Sequence, residues 1–160
     1  MPQHTQLFER FALLDRCGRQ AGKAAQETGA RFKVDLHGVS GADKAAVRAS
    51  IEEADVVLAC AAAGVQVVSS EDLAVACRIK VAADVNAVPP EGIAGVGVMD
   101  DAVPLAGTGA VGIGALAIGN VKYQTQHRLL VQMRGAEKAV MLSFPEAFAT
   151  ARAFLAEKAG

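Results

Sequence analysis

The hydrophobic positions of this chain change period several times, and each change marks an element. Residues 19–28 read as a helix ended by Gly29, a residue that closes helices readily because it tolerates the left-handed backbone. Phe32, Val34 and Leu36 then alternate with Lys33 and Asp35, the two-residue period of a strand. Ser40 and Asp43 open a second helix, along which Val47, Ile51 and Ala54 share one face. Residues 56–60, VVLAC, form an unbroken apolar run, the pattern of a parallel strand buried on both faces. Ser69 or Ser70 caps a short helix whose Glu71 and Asp72 suit the positive end of the helix dipole. Residues 79–85, IKVAADV, are a further apolar strand.

Strand, helix, strand, helix, strand at this spacing predicts right-handed βαβ units on a parallel sheet. Beyond Asn86 the pattern dissolves into Pro89, Pro90, Gly92, Gly95 and Gly97, which read as loop. A glycine-rich segment at 107–119 leads into a helix-like stretch at 122–133. Ser143, Pro145 and Glu146 announce a last helix, which carries Arg152 and sets Phe148 and Leu155 on one face. The result is one α/β layer structure with a helical C-terminal tail.

Composition narrows the function classes. Of the 160 residues, 52% are hydrophobic and 21% charged, which excludes a disordered chain. A net charge of -1 and only 4% aromatic residues argue against a nucleic-acid surface, which needs basic excess and stacking platforms. The longest apolar stretch, 54–68, is interrupted by Asp55, Gly64 and Gln66, whereas a membrane span takes about 20 apolar residues. The first residues lack a basic run followed by an apolar one, so no signal peptide is expected and the protein is read as cytoplasmic. Cys17, Cys60 and Cys77 are widely spaced, with no CxxC pair and no histidine at ligand spacing. They are expected to be reduced, mostly buried thiols, and no metal site is expected. His4, His37 and His127 are isolated and read as solvated or structural.

Three segments carry candidate chemistry. Gly107-Thr108-Gly109-Ala110-Val111-Gly112 is a literal GxGxxG, but Pro104 precedes it and Gly114 and Gly119 follow it. A glycine-rich connection toward the C-terminal helices fits that context better than a pyrophosphate loop. Ala61, Ala62, Ala63 and Gly64 follow an apolar strand; small residues there suit either a ligand near the backbone or a helix packed on the strand. Asp84 and Asn86 straddle the end of another apolar strand, with Pro89 and Pro90 stiffening the exit. Polar groups in that position cost desolvation unless partnered, which favours ligand contact over Asn86 bonding its own turn.

Five blocks together resemble a known family, the NAD(P)-dependent methylene-tetrahydromethanopterin dehydrogenases of one-carbon metabolism. They are Cys17-Gly18-Arg19, Arg31-Phe32-Lys33-Val34, ADVVLACAAAG at 54–64, ADVNAVPPEGIAGVGVMD at 83–100 and AVGIGALAIGNVKYQTQHRLL at 110–130. The last two are long and specific, and GALAIGNVKYQ is nearer to the variant that accepts both NAD and NADP. The resemblance implies an incomplete Rossmann-like parallel sheet with flanking helices. Residues 1–12 stay unassigned, 13–135 form a partial NAD(P)-binding domain, and 136–160 form a C-terminal helix. The family's N-terminal pterin-binding domain, first strand and glycine fingerprint have no counterpart in these residues.

The same resemblance implies roles. Gly18 and Arg19 follow the second strand of the family fold, where a guanidinium suits the 2′-phosphate of NADP. No acidic residue is expected where it would repel that phosphate, and Gln20 supplies no second positive charge, which fits relaxed choice between NADP and NAD. Ala61, Ala62, Ala63 and Gly64 would line the cofactor. Asn86 would lie near the nicotinamide or the pterin, with Asp84 and Pro89 on the substrate side. Lys122 would point into the cleft as an orienting or electrostatic residue. In the implied reaction a methylene carbon between two pterin nitrogens gives hydride to the nicotinamide, so no general base is needed and the protein mainly orients two rings. The implied partner is a pterin one-carbon substrate, and a homo-oligomer is expected. Two alternatives stand beside this reading: a non-catalytic nucleotide-binding or assembly remnant, and another Rossmann dehydrogenase, such as a shikimate-dehydrogenase-like enzyme, which would leave GALAIGNVKYQ unexplained.

Overall fold

The structure, a computed structural model, describes residues 11–15 and 17–159. His4 and nearly all of the unassigned segment 1–12 therefore lie outside the described residues. Strands β1 (Phe11–Asp15) and β2 (Leu36–Ser40) pair in parallel, with Phe11 opposite Leu36 and Asp15 opposite Ser40. Helix α1 (Gly18–Phe32) joins them and buries Ala21 and Ala25. A side chain added at Gly38 of β2 would run into the backbone of Ala21 and Gly22, so helix and strand meet backbone to backbone. Small residues on both partners permit that approach.

The helix overruns its expected stop. Gly29 lies inside α1, and the left-handed cap falls on Lys33, at φ 56, whose N–H donates to the Gly29 carbonyl. Gly29 is small for a different reason: a Cβ there would sit 2.8 Å from the carbonyl oxygen of Val34 as the chain doubles back. The strand consequently begins at Leu36 and not at Phe32, which ends the helix.

Helix α2 (Lys44–Glu53) starts from Asp43, whose carboxylate accepts the N–H groups of Ala45 and Ala46 at 3.0 and 3.2 Å. Its buried Val47 and Ile51 join a core with Ala59, Ala82, Ile93 and Val96. Strand β3 (Val56–Ala59) pairs in parallel with β4 (Val81–Asp84), with α3 (Ser70–Leu73) between them in the chain. Ser69 caps α3 in a reciprocal box with Asp72. The expectation that VVLAC is buried on both faces is overturned, because Leu58 is 68% exposed. Val57 and Ala59 face the core, while β3 stands at the edge of its sheet and its other face is left open.

The segment expected to be loop holds a hairpin. Strand β5 (Asp101–Pro104) runs antiparallel to β6 (Val111–Ile113), and β6 pairs in parallel with β4. The GxGxxG therefore spans the turn and the start of β6, with Leu105 N–H donating to the Ala110 carbonyl at 2.9 Å. It connects two strands of the sheet and does not cross to the helices. All four residues of β5 are exposed and its register is bulged, features that blunt a sheet edge.

Helix α4 (Ala115–Gly135) begins earlier than its apolar pattern indicates. Its cap, Gly114, lies so near the carbonyls of Gly97 and Val98 that a side chain would not fit, and the N–H of Leu116 donates to Val98 at 3.0 Å. In α5 (Phe144–Ala159), Glu146 caps as expected, accepting the N–H and hydroxyl of Ser143 at 2.7 and 3.1 Å. Arg128 of α4 grips Glu157 of α5 in a two-pronged contact at 2.8 and 2.7 Å.

The strands fall into a two-stranded sheet, β1-β2, and a four-stranded sheet, β3-β4-β6-β5. A Rossmann sheet runs third, second, first, fourth, fifth, sixth. With β1 as the second strand, β2-β1 and β3-β4-β6 supply that order without a first strand among the described residues, and the break between the sheets falls at that strand's place. The fold is an incomplete Rossmann-like α/β structure. Among the described residues no helix is long and apolar enough to cross a membrane. The expectation of mostly buried thiols is also overturned: Cys17, Cys60 and Cys77 are free and exposed. Each sits beyond the end of an element, before α1, after β3 and after α3, where packing does not cover it.

Candidate functional site

Open α/β sheets bind ligands outside the carboxyl ends of their strands. Here those ends gather two groups of residues. At the end of β1, Asp15 accepts the N–H of Cys17 through Oδ1 at 2.8 Å, while its carbonyl accepts the N–H of Gly41 at 2.7 Å. Gly18 opens α1 so near the end of β2 that a Cβ there would lie 3.1 Å from the Cβ of Ser40. Arg19 is exposed and has no ion-pair partner among the described residues. Asp15, the last residue of β1, precedes Arg19 by four positions.

The second group is a latch between two loops. Asp84, at the end of β4, is 2% exposed and accepts the N–H groups of Asn86 and Ile93 at 2.9 and 3.1 Å. Gly92 must be glycine for this to happen, since its Cβ would lie 2.7 Å from Asp84 Oδ1. Asn86, 7% exposed, accepts Val88 N–H at 2.9 Å and Gly64 N–H at 3.3 Å through Oδ1, and donates from Nδ2 to the Pro90 carbonyl at 2.9 Å. Gly64 itself has φ 72, a backbone state that favours glycine. For Asn86 the structure realises the turn-bonding alternative. The exposed surface is left to Ala62, Ala63, Val88 and Pro89, with Ala61 half-buried beside them. Asp84 and Asn86 hold the shape of that surface from beneath.

Lys122 lies in α4, exposed, and makes no hydrogen bond or ion pair with either loop. The helix that carries it is nonetheless fixed to the sheet. Asp100 accepts Gly97 N–H at 2.7 Å through its side chain and Gly114 N–H at 2.8 Å through its carbonyl, fastening the start of α4 to the loop after β4. Asp100 was a residue sequence reasoning passed over, although its place among three glycines was a signal. An open depression of about 380 Å³ lies between α3 and the hairpin turn, lined by Leu73, Cys77 and Gly107 among others, and none of the expected site residues borders it. Among the described residues no cluster of three or more His, Cys, Asp or Glu side chains could hold a metal.

No protein-family model matches the chain. Among curated proteins it is 49% identical over 118 residues to the NAD(P)-dependent methylenetetrahydromethanopterin dehydrogenase of Methylorubrum extorquens, a match covering 74% of this chain and 40% of that enzyme. It is also 29% identical over 127 residues to the bifunctional protein MdtA of the same organism, covering 78% of this chain and 43% of that protein. The chain thus spans less than half the length of the curated relatives it matches. Over the region they share, the chain is similar to the NAD(P)-dependent methylenetetrahydromethanopterin dehydrogenase at about every second residue.

Proposed function

We propose that this chain is the nucleotide-binding part of an oxidoreductase that moves hydride from a methylene-tetrahydromethanopterin to NADP or NAD, forming the methenyl product. The observation that carries the reading is 49% identity over 118 residues to an enzyme named for that activity. The donor set fits the cofactor. Arg19, without an ion-pair partner among the described residues and beside the ends of β1 and β2, suits a phosphorylated ribose, and the small residues after β3 leave room for a planar ring to approach the backbone.

When bound, the nicotinamide supplies the hydride acceptor. The chain's own residues bind and position. Gly18 and Arg19 hold the adenosine end. Ala61, Ala62, Ala63 and Gly64 form a smooth wall, kept at fixed height by Gly64 N–H bonded to Asn86. Asp84 keeps the Asn86–Ile93 loop from relaxing, so that Pro89 can face the pterin. Lys122 contributes positive charge at the substrate side. None of these groups needs to move a proton, because a nitrogen lone pair of the pterin stabilises the product cation. Exclusion of water and alignment of two rings remain as the work of the site. The reading extends to a homo-oligomer in the cytoplasm, with neither nucleic acid nor membrane as partner.

Titration of the purified chain with NADP and NAD, followed by the methylene-to-methenyl absorbance change, tests this. Binding with turnover supports the full reading, and binding without turnover supports a nucleotide-binding module. The module reading has its own support in the break between the two sheets, which leaves β1 and β3 each with one edge unpaired among the described residues. No binding of either nucleotide overturns both.

A further inference from the structure

Strand β5 holds a backbone state that its composition does not call for. Ala102 has φ 58, in the left-handed region that side chains other than glycine rarely enter. It falls inside the β5–β6 bulge, where Asp101 pairs with Ile113 and Val103 with Gly112, leaving Ala102 as the extra residue. Bulges re-aim neighbouring side chains, and strain of this kind concentrates where ligands bind. The neighbour is Asp101, exposed, with no side-chain hydrogen bond or ion pair among the described residues. Its level in the sheet puts it on the ligand side. Ala83 of β4 is in register with Ile113 of β6, and Ile113 with Asp101, so Asp101 is level with the carboxyl end of β4, about 10 Å away across two strand spacings. Of the acidic residues around the ends of β4 and β6, Asp84 and Asp100 spend their carboxylates on backbone N–H groups. Asp101 and Glu91 are exposed and make no such bond, and of these two only Asp101 is fixed in a strand.

We propose that Asp101 is a catalytic residue of the hydride transfer, its carboxylate set against the pterin to stabilise the methenyl cation as it forms. The inference rests on the hydride-transfer reading above. In that step the C–H electron pair leaves the methylene carbon for the nicotinamide, which loses its ring charge. The carbon and its two flanking nitrogens gain one positive charge in exchange, and no proton moves. A negative charge already in place therefore favours the product cation, and the transition state leading to it, over a substrate uncharged at that carbon. A pterin seated against Pro89 at the end of β4 has Asp101 on its far side, across β6. The strain at Ala102 then has a return: it holds an unpartnered carboxylate where positive charge develops.

The test needs no turnover. The full chain and its Asp101→Asn variant are titrated by calorimetry with methylene-tetrahydromethanopterin and, separately, with the methenyl form. The unaltered chain is expected to prefer the methenyl form, by a margin that narrows as salt is raised. Asp101→Asn should weaken the methenyl form about fivefold and the methylene form less than twofold. Glu91→Gln removes the same charge from the same rim and should leave the ratio where it was. A ratio unchanged in Asp101→Asn, or changed as much by Glu91→Gln, overturns the proposal. So does a lower melting temperature with the ratio intact, which would make Asp101 a residue serving the start of α4. NADP and NAD are titrated alongside: if they bind and neither pterin does, this proposal falls and nucleotide binding stands, and if nothing binds, both fall. Should Asp101→Asn not fold, Asp101→Ser replaces it, and loss of fold in both makes the residue structural and overturns the proposal.

Discussion

The two sheets of this molecule are held together in different ways. Around β3-β4-β6-β5 the contacts are made by side-chain volume: Val47, Ile51, Ile93, Val96 and Leu105 fill the space between helix and sheet. Around β1-β2 the buried contribution of α1 is two alanines, and the decisive contact is backbone against backbone at Gly22 and Gly38. Burial of large aliphatic groups supplies stability in proportion to area, whereas close backbone approach supplies geometry with little area. The four-stranded half is therefore the anchor, and the two-stranded half is a precisely seated attachment. The candidate site draws from both, with the ribose corner on the attachment and the loop latch on the anchor.

Removing the latch should break the anchor. Asp84→Ala leaves the N–H groups of Asn86 and Ile93 buried without an acceptor, at about 1–3 kcal/mol each, for about 4 kcal/mol in total. Urea unfolding followed by circular dichroism measures it, and the expected outcome is a fall of about that size in the unfolding free energy, with an earlier midpoint. A loss below about 1 kcal/mol would mean water or a shifted loop replaces the carboxylate, and the latch would then not be what shapes the site.

Gly38→Ala tests the attachment. The added methyl meets the backbone of Ala21 and Gly22, where nothing flexible can yield, and overpacking of this kind costs about 2–3 kcal/mol. Because the side chains α1 buries are the small Ala21 and Ala25, the damage should stay local. Hydrogen exchange is expected to show lost protection in α1 and β2, with β3, β4 and β6 unchanged. Equal loss across both sheets would show one cooperative unit and erase the distinction drawn above.

Arg19→Ala reaches the site without touching either scaffold. The residue is exposed and has no ion-pair partner among the described residues, so the melting temperature should hold. NADP affinity should fall about tenfold while NAD stays within about threefold, measured by titration of the chain. An equal fall in both nucleotides would make Arg19 an ordinary residue at the start of a helix.

The anchor was more legible in the sequence than the attachment, for the same physical reason. Large aliphatic residues at helical and strand spacing announce α2 and β4 directly, and Ser69 and Glu146 announce the caps of α3 and α5. Backbone contacts leave only glycines and alanines, which also mark turns and helix ends. Gly29 thus reads as a stop although the chain needs it for a close approach to Val34, and Gly114 reads as one more glycine of a connection although it seats α4. Strand β5, wholly exposed, has no apolar signature to read. The site residues at 18–19, 61–64 and 84–86 were visible as motifs. That Asp84 and Asn86 bond their own loop was not, because a polar residue at a strand end looks the same whether its partner is ligand or backbone.

The smallest expected effect belongs to the helical pair α4–α5, which lies outside both sheets. The Arg128 guanidinium beside Glu157 holds its carboxyl below the usual carboxylate range, and the backbone N–H of Ser143 does the same for Glu146. A lowered folded-state value means stabilisation that is fully present above the ordinary carboxylate range, about pH 4–5, and lost as pH falls through the folded values. Arg128 itself, raised by Glu157, stays charged throughout. Both carboxylates are solvent-exposed, so the change should be confined to fraying of α5, with the sheets unaffected. Exchange protection in α5 is expected to hold from neutral pH down to about 5 and to decline below about 4, and Glu157→Gln should flatten that decline without abolishing it, because Glu146 still titrates. A decline of the same steepness in Glu157→Gln would mean that Arg128 and Glu157 touch without holding the helices together.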